Sequence, residues 1–459
     1  MFFKAQHLHF VGIGGIGMSG IAEVLLNLGH EISGSDLKLS PITERLAQLG
    51  ATIYEGHAAA NVVGAKAVVV TSAAGPSNPE IQEARRLGIP VIPRGDLLAE
   101  LMRLKYGIAV AGSHGKTTTT SMIATVLSVA AKDPTVVVGG KAAAMGGSNA
   151  RVGKSDYLVV ESDESDGSFL KLSPIIAVVT NIDREHLDHY PSIVEIRAAF
   201  LEFIQKVPFY GVAVLCLDDA NVRELLPVVN RRSVTYGLDN EAKLHIASAD
   251  CGHLESRFAV RARGRDLGEF HLRVPGIHNV QNATAAIAVG LELEIPVETI
   301  RFGIASYTGV DRRFQIRGEA RGITVIDDYG HHPTEIRATL AAAHLCDFGR
   351  ILAVFQPHRY TRTQHLMDEF AQSFGQADLI FVLDIYAASE QPIAGVHGEA
   401  LAQRIRDLGH REVEYTGTID ATAAAVVKAA RDRDLVLTLG AGNVWQVGDR
   451  VLDKLREAA

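Results

Sequence analysis

A glycine-rich turn that ends in lysine and threonine, Gly112-Ser113-His114-Gly115-Lys116-Thr117-Thr118, follows an apolar run over 107–111. Backbone N–H groups in such a turn can surround phosphate oxygens, with Lys116 reaching the β- and γ-phosphates of a nucleotide and Thr117 a magnesium ion. The strict G-x-x-x-x-G-K-[ST] spacing fails, because Val110 stands where its first glycine belongs, and the shorter G-x-x-G-K-T remains. A polar helix start capped by threonine is the alternative. Near the N-terminus, Gly12-Ile13-Gly14-Gly15-Ile16-Gly17 matches G-x-G-x-x-G, and Asp36 ends the next strand, 19 residues after Gly17. Those glycines allow a pyrophosphate to approach the backbone at a helix N-terminus. The motif fits NAD as well as another diphosphate nucleotide, or a tight turn with nothing bound.

Other polar clusters also stand at strand ends. Glu161-Ser162-Asp163-Glu164-Ser165-Asp166 follows a strand over 157–160, where a magnesium ligand is needed beside a phosphate loop, and Glu161 is the candidate. A solvated acidic loop is the alternative. Asn181 and His186, in Thr180-Asn181-Ile182-Asp183-Arg184-Glu185-His186, lie where a third strand end converges on the same place. Asn279 and Asn282 precede an alanine-rich helix, which either could cap. Arg312 and Arg313, then Asp328-Tyr329-Gly330-His331-His332, then His358-Arg359-Tyr360-Thr361-Arg362 concentrate cations that suit carboxylate or phosphate partners.

The elements that must position these residues alternate between β-branched runs and helical periodicity, which predicts an α/β fold with mainly parallel sheets. Three blocks emerge, 1–106, 107–313 and 314–459. Strands are predicted over 7–11, 31–33, 52–54, 67–71 and 91–92, with helices over 19–28, 41–49 and 79–87. The second block carries strands over 107–111, 157–160, 175–180 and 211–215, and a polar stretch over 232–274 reads as a small antiparallel insert. The third carries strands over 323–327, 350–355, 379–383 and 435–439. A chain of 459 residues exceeds what one core supports, in keeping with several domains.

The net charge of −8, from 45 basic and 53 acidic residues, argues against a nucleic-acid surface. Cys216, Cys251 and Cys346 fit neither a disulfide framework nor a zinc site, and a reducing cytoplasm is the expected compartment. The start lacks the features of a signal peptide, and the apolar stretch 10–28 is broken by five glycines, so no membrane association is expected.

In order along the chain, GIGGIGMSG, GSHGKTTTT, ESDESDGSFL, TNIDREHLDHY, GIHNVQNATAA, GVDRRFQ, DDYGHHPTEI and FQPHRYTRT resemble the motifs of the Mur ligases, and within them the alanine-adding branch. The resemblance implies three domains: a Rossmann-like N-terminal domain for a UDP-linked substrate, a central P-loop-type ATPase, and a Rossmann-like C-terminal domain for the incoming amino acid. It implies that ATP and magnesium are used to join L-alanine to UDP-N-acetylmuramate, in a monomer or weak homodimer. Gly14, Gly15, Gly17, Asp36, His57 and Ser72 then belong to the UDP substrate. Gly112, Ser113, His114, Gly115, Lys116, Thr117 and Thr118 belong to ATP, together with Asn279, Arg312 and Asp328. Thr117, Glu161 and His186 become metal ligands, and Tyr329, His331, Arg359 and Arg362 the amino-acid end. Lys116, His186, Arg312 and His331 are the residues assigned to catalysis. Phe200 takes the place of a carbamylated lysine found in other Mur ligases, a departure that suits the alanine-adding branch. A recycling ligase that adds a tripeptide to the same nucleotide shares most of these motifs. An NAD(P)-dependent oxidoreductase would leave the Lys116 turn and the acidic strand end without purpose.

Overall fold

The computed structural model describes residues 5–71, 73–142, 148–185, 189–262 and 264–457. Three sheets follow one another along the chain. The first is formed by β1 (His7–Val11), β2 (Glu31–Asp36), β3 (Thr52–Glu55), β4 (Ala67–Val70) and β5 (Val91–Pro93), in the order β3-β2-β1-β4-β5. All its recorded pairs are parallel. The order reverses between β1 and β4, and such a switch point opens a crevice beyond the carboxyl ends of the strands. Helix Ile16–Asn27 leaves β1 through the glycine turn. Helix Pro41–Gln48 starts with a capping box on Ser40 and Thr43 and has proline at its start, as does Pro79–Arg86, capped by Asn78.

The central sheet has ten strands: β6 (Tyr106–Ala111), β7 (Thr135–Ala142), β8 (Ser148–Arg151), β9 (Tyr157–Glu161), β10 (Ile176–Val179), β11 (Val212–Cys216), β12 (Ser233–Gly237), β13 (Leu244–Asp250), β14 (Ser256–Ala262) and β15 (Arg265–Leu272). Their order is β15-β14-β13-β12-β11-β10-β6-β9-β7-β8. The stretch expected to be a separate insert therefore continues the main sheet, with β12 parallel to both β11 and β13. β6, β10 and β11 are almost wholly buried, which is why they read as unbroken apolar runs. The strands β7 and β8 were not expected; they form an antiparallel pair at the sheet edge.

The third sheet holds β16 (Gln315–Ala320), β17 (Ile323–Asp328), β18 (Ile351–Phe355), β19 (Leu379–Leu383), β20 (Val413–Gly417) and β21 (Leu435–Leu439), in the order β16-β17-β21-β18-β19-β20. Only β16 runs antiparallel to its neighbour. The chain divides into two compact units. The first comprises 1–248, 258–270 and 281–308, and the second 249–257, 271–280 and 309–459. In the first, one apolar cluster runs from Leu8, Phe10 and Ile21 to Leu158, Phe169 and Phe200, so the first two sheets share a core. Phe200 is fully buried and packs edge-on against Phe169, with ring centroids 5.3 Å apart. In the second unit, separate clusters cover the two faces of the third sheet. Among the described residues, no helix is long and apolar enough to cross a membrane.

Candidate active site

β6 lies between β10 and β9, and its carboxyl end runs into the turn Gly112–Gly115 and helix Lys116–Val129. Gly112 has φ +140°, and a Cβ there would lie 2.0 Å from Thr180 Oγ1. Gly115 has φ +80°, and its Cβ would meet Asn282 Oδ1 at 2.6 Å. Both positions thus need glycine for conformation and for space. The neighbouring strand end holds the turn in place. Asn181 Oδ1 accepts from the His114 amide at 2.8 Å, and Thr180 Oγ1 donates to the His114 carbonyl at 2.6 Å. The Asp183 amide donates to Ser113 Oγ at 2.8 Å, and His114 Nε2 lies 2.9 Å from Asp183 Oδ2. Thr118 is buried in the first helical turn. The result is a rigid set of backbone amides at the start of a 14-residue helix, a site suited to an anion.

The cation of this turn is already paired. Lys116 Nζ donates to Glu164 Oε1 at 2.7 Å and to the Gly112 and Ser113 carbonyls at 2.7 and 3.2 Å. Burial works against the ammonium, but Glu164, with help from Glu185 and Glu161, more than offsets it and holds Lys116 above the ordinary lysine range. Thr117 Oγ1 donates to Glu161 Oε1 at 3.0 Å, and Glu161 Oε2 accepts from the Gly139 amide at 2.6 Å. A hydroxyl and a carboxylate converging beside an anion turn form the hard oxygen set that magnesium takes. Partial burial works against the Asp163 carboxylate, yet the Ser165 hydrogen bonds, Lys116 and Arg94 hold it below the usual range.

Arg94 connects this acidic turn to the first glycine turn. Its Nη2 donates to Asp163 Oδ2 at 3.2 Å, and a Cβ on Gly17 would come within 2.4 Å of its Nη1. In that first turn, the Gly12 and Ile13 amides donate to the Ser35 carbonyl at 2.8 and 3.0 Å. The Gly14 amide donates to Asp36 Oδ2 at 2.8 Å, and a Cβ at Gly14 would lie only 2.8 Å from that oxygen. Gly15 is the N-cap of helix Ile16–Asn27. His57, beyond β3, contacts Ser35 Oγ through Nδ1 at 2.9 Å. Gly14, Gly15, Gly17, Asp36 and His57 therefore gather at the carboxyl ends of β1, β2 and β3.

In the second unit the cationic residues gather at the carboxyl ends of β17, β18 and β21. Arg312 has φ +61°. Its guanidinium donates to Asp327 Oδ2 at 2.9 Å, to the Gly440 carbonyl at 2.6 Å and to the Gly442 carbonyl at 3.0 Å, and it lies 5.0 Å from the Tyr329 ring centre. Asp328 accepts from the Phe314 and Gly330 amides at 2.8 and 2.7 Å, and burial raises its carboxyl above the usual range. His331 Nδ1 lies 3.0 Å from the Tyr329 carbonyl, and its ring centre is 5.9 Å from that of His358. The His358 ring stacks on Tyr386, and Arg362 Nη1 approaches its Nδ1 at 3.3 Å. Burial, then the charges of His331, Arg362, Arg359 and Arg312, push the His358 imidazole down to about 3. Arg359 has φ +69°, and its amide donates to the Tyr386 carbonyl at 2.9 Å. Tyr329, His331, Arg359 and Arg362 thus all follow the carboxyl ends of β17 and β18.

Two expected site residues, Ser72 and His186, lie outside the described residues. Asn279 sits inside helix Ile277–Glu292 and donates back to the Pro275 carbonyl at 2.7 Å, and Asn282 lies further along. Neither caps the helix. Several residues at the site were not singled out from the sequence: Glu164 as the partner of Lys116, Arg94, Asp183, and the buried His9 and Glu80 beneath His57. A sequence signal existed for Glu80, since Asn78-Pro79-Glu80 is a helix-start pattern, but it reads as capping alone.

Three family models match in succession: "Mur ligase family, catalytic domain" over 7–106, "Mur ligase middle domain" over 110–290 and "Mur ligase, glutamate ligase domain" over 312–442. The UDP-N-acetylmuramate–L-alanine ligase of Solibacter usitatus is 68% identical over 456 residues, covering 99% of this chain and 97% of that relative. The crystal structure of a UDP-N-acetylmuramate–alanine ligase from Thermotoga maritima has a TM-score of 0.84 at 30% identity, covering 99% of this chain and 100% of that one. A murein peptide ligase from Psychrobacter arcticus has a TM-score of 0.71 at 25% identity, with 98% and 99% covered. The three models follow one another over most of the chain, and with this level of identity to its relatives the chain belongs to the Mur ligase family.

Proposed function

We propose that this protein joins L-alanine to the lactyl carboxylate of UDP-N-acetylmuramate at the expense of ATP, releasing ADP and phosphate. The observation that carries it is the Gly112–Thr117 turn, with Lys116 and Thr117 set against two carboxylates, in a chain 68% identical to a ligase of that name. On this reading residues 1–106 hold the UDP substrate, 107–313 ATP and 314–459 alanine.

The lactyl carboxylate attacks the γ-phosphorus of ATP, giving an acyl phosphate and ADP. The alanine amine then attacks the activated carbonyl, and phosphate leaves through a tetrahedral intermediate. The amides of the turn and Lys116 bind the phosphates and offset charge on the transferring phosphoryl group. Thr117 and Glu161 would hold magnesium, which supplies charge neutralisation on the phosphate oxygens. Arg359 and Arg362 fix the alanine carboxylate by charge-assisted hydrogen bonds and leave its amine free. His331 is the candidate to take a proton from that amine.

Phosphate release from ATP with UDP-N-acetylmuramate tests this directly, with alanine, glycine, serine and a murein tripeptide offered in parallel. Alanine should support the fastest release. Release driven by tripeptide alone would move the protein to the tripeptide-adding reading, alongside the Psychrobacter arcticus murein peptide ligase.

A further inference from the structure

Beneath the first glycine turn lies a buried polar network that the proposed reaction does not use. Glu80, the second residue of helix Pro79–Arg86, is fully buried. Its Oε2 accepts from Ser35 Oγ at 2.6 Å and its Oε1 from Asn61 Nδ2 at 2.7 Å. His9 Nε2 lies 3.4 Å from Oε1, and His57 Nδ1 lies 3.2 Å from Oε2. Despite burial, these partners hold the Glu80 carboxyl down at about 2, so it is an anion at neutral pH. On its other side His9 Nδ1 contacts Ser33 Oγ at 2.8 Å. The parallel pairing of β1 and β2, with His9 opposite Ser33 and Val11 opposite Ser35, lines these groups along one face of the sheet.

A buried carboxylate is costly, and an apolar side chain of similar volume would serve stability at least as well. The geometry shows what the charge does instead. Because Ser35 Oγ gives its hydrogen to Glu80, it must accept at its other contact, the one with His57. His57 Nδ1 therefore carries a proton, as its second contact, with Glu80, also requires. Its Nε2 has no partner among the described residues, and the ring is partly exposed beyond β3. The same Ser35 receives the Gly12 and Ile13 amides on its carbonyl, so the network and the glycine turn share one anchor. With Nδ1 committed to Ser35 and Glu80, the buried anion fixes the orientation of the ring and leaves Nε2 as the atom that can meet a ligand.

We propose that Glu80, acting through Ser35, is a positioning residue that fixes the tautomer and orientation of His57, so that its Nε2 meets a nucleoside-diphosphate substrate at the first glycine turn. The inference rests on the functional reading above for the place of the UDP moiety. Binding of UDP to the full-length chain is measured by titration calorimetry for the wild type, Glu80→Gln, His57→Gln and the double variant. Each single change should weaken UDP about tenfold, the scale of one hydrogen bond, and the double variant should be no weaker than His57→Gln alone. ATP affinity should move less than about twofold, since its turn is on another sheet. Losses that add in the double variant, or UDP affinity unchanged in Glu80→Gln, would overturn the proposal, because a merely structural carboxylate would not act through His57. If Glu80→Gln does not fold, Ser35→Ala takes its place in the same cycle, where additive losses or an unchanged UDP affinity again overturn the proposal. Alanine-dependent phosphate release by the wild type is read alongside. A coupled cycle without such release removes the functional reading and leaves the positioning role standing. A wild type that does not bind UDP removes both.

Discussion

Lys116 and Glu164 are a couple in which neither charge can be removed alone without consequence. Glu164 is almost fully buried, and its contact with the ammonium is 2.7 Å. Lys116→Ala should abolish ATP turnover, while the stranded carboxylate costs about 2–4 kcal/mol of stability, less than the whole because Lys116 is partly exposed. Adding Glu164→Gln should return most of that stability and none of the turnover; thermal melts with phosphate-release assays check both halves. Arg359 makes a different prediction. Its backbone has φ +69°, a conformation that costs a non-glycine residue about 1 kcal/mol. Arg359→Gly should therefore melt no lower than the wild type and still raise the KM for alanine by tenfold or more. A lower melting temperature with an unchanged KM would take Arg359 out of the alanine site.

At the level of elements, the turn Gly112–Gly115 works because two strands and a helix meet it without room for a methyl group. Gly112→Ala would set a Cβ 2.0 Å from Thr180 Oγ1, and Gly115→Ala one 2.6 Å from Asn282 Oδ1, both at positive φ. Each should destabilise by more than about 2 kcal/mol and lose nucleotide binding, with Gly112→Ala the worse. Chemical denaturation with and without ATP would show it. Such positions are legible in a sequence because only glycine satisfies the backbone there, and the buried parallel strands are legible because both faces are apolar. Other elements leave no such trace. β7 contains Gly139 and Gly140, which break its periodicity, yet Gly139 supplies the amide that holds Glu161. Helix Arg94–Arg103 begins immediately after Pro93, the last residue of β5, so no loop announces it. The Glu80 network is invisible in the sequence because His9, Ser35, His57, Asn61 and Glu80 are far apart along the chain and become neighbours only through strand pairing and helix packing.

Over the whole molecule, the two units differ in how pH acts on them. In the second unit, burial and the Arg313 charge press the His278 imidazole down to about 4, and His358 falls to about 3. The unfolded chain protonates these rings near pH 6.5, while the folded ones resist. Their neutral forms thus give stability that is fully present above pH 6.5 and is lost as the pH falls toward 4 and then 3. Each contributes at most about 1.4 kcal/mol per pH unit over that span. In the first unit, Glu80 is depressed from 4.5 to about 2, so its contribution stays intact down to about pH 4.5. Amide hydrogen exchange followed from pH 7 to pH 5 should show β17, β18 and β21 losing protection, with the loss reduced in His278→Asn. Saturating UDP, which the proposed function assigns to the first unit, should add about 2.7 kcal/mol there at a hundredfold excess over its Kd. Slowed exchange in β1 and β2 would report it.

The contact between Glu164 and Lys116 has one more consequence. On the proposed function, a carboxylate of the chain itself occupies the ammonium that a phosphate oxygen of the nucleotide has to claim. Glu164 is then an internal stand-in for the ligand, and a lone inorganic anion has to compete with it for the lysine. A nucleotide must win an exchange, and only an anion that engages the turn amides and the lysine together can do so. Selectivity for a polyphosphate over a single phosphate would then be built into the fold, ahead of any recognition of base or sugar.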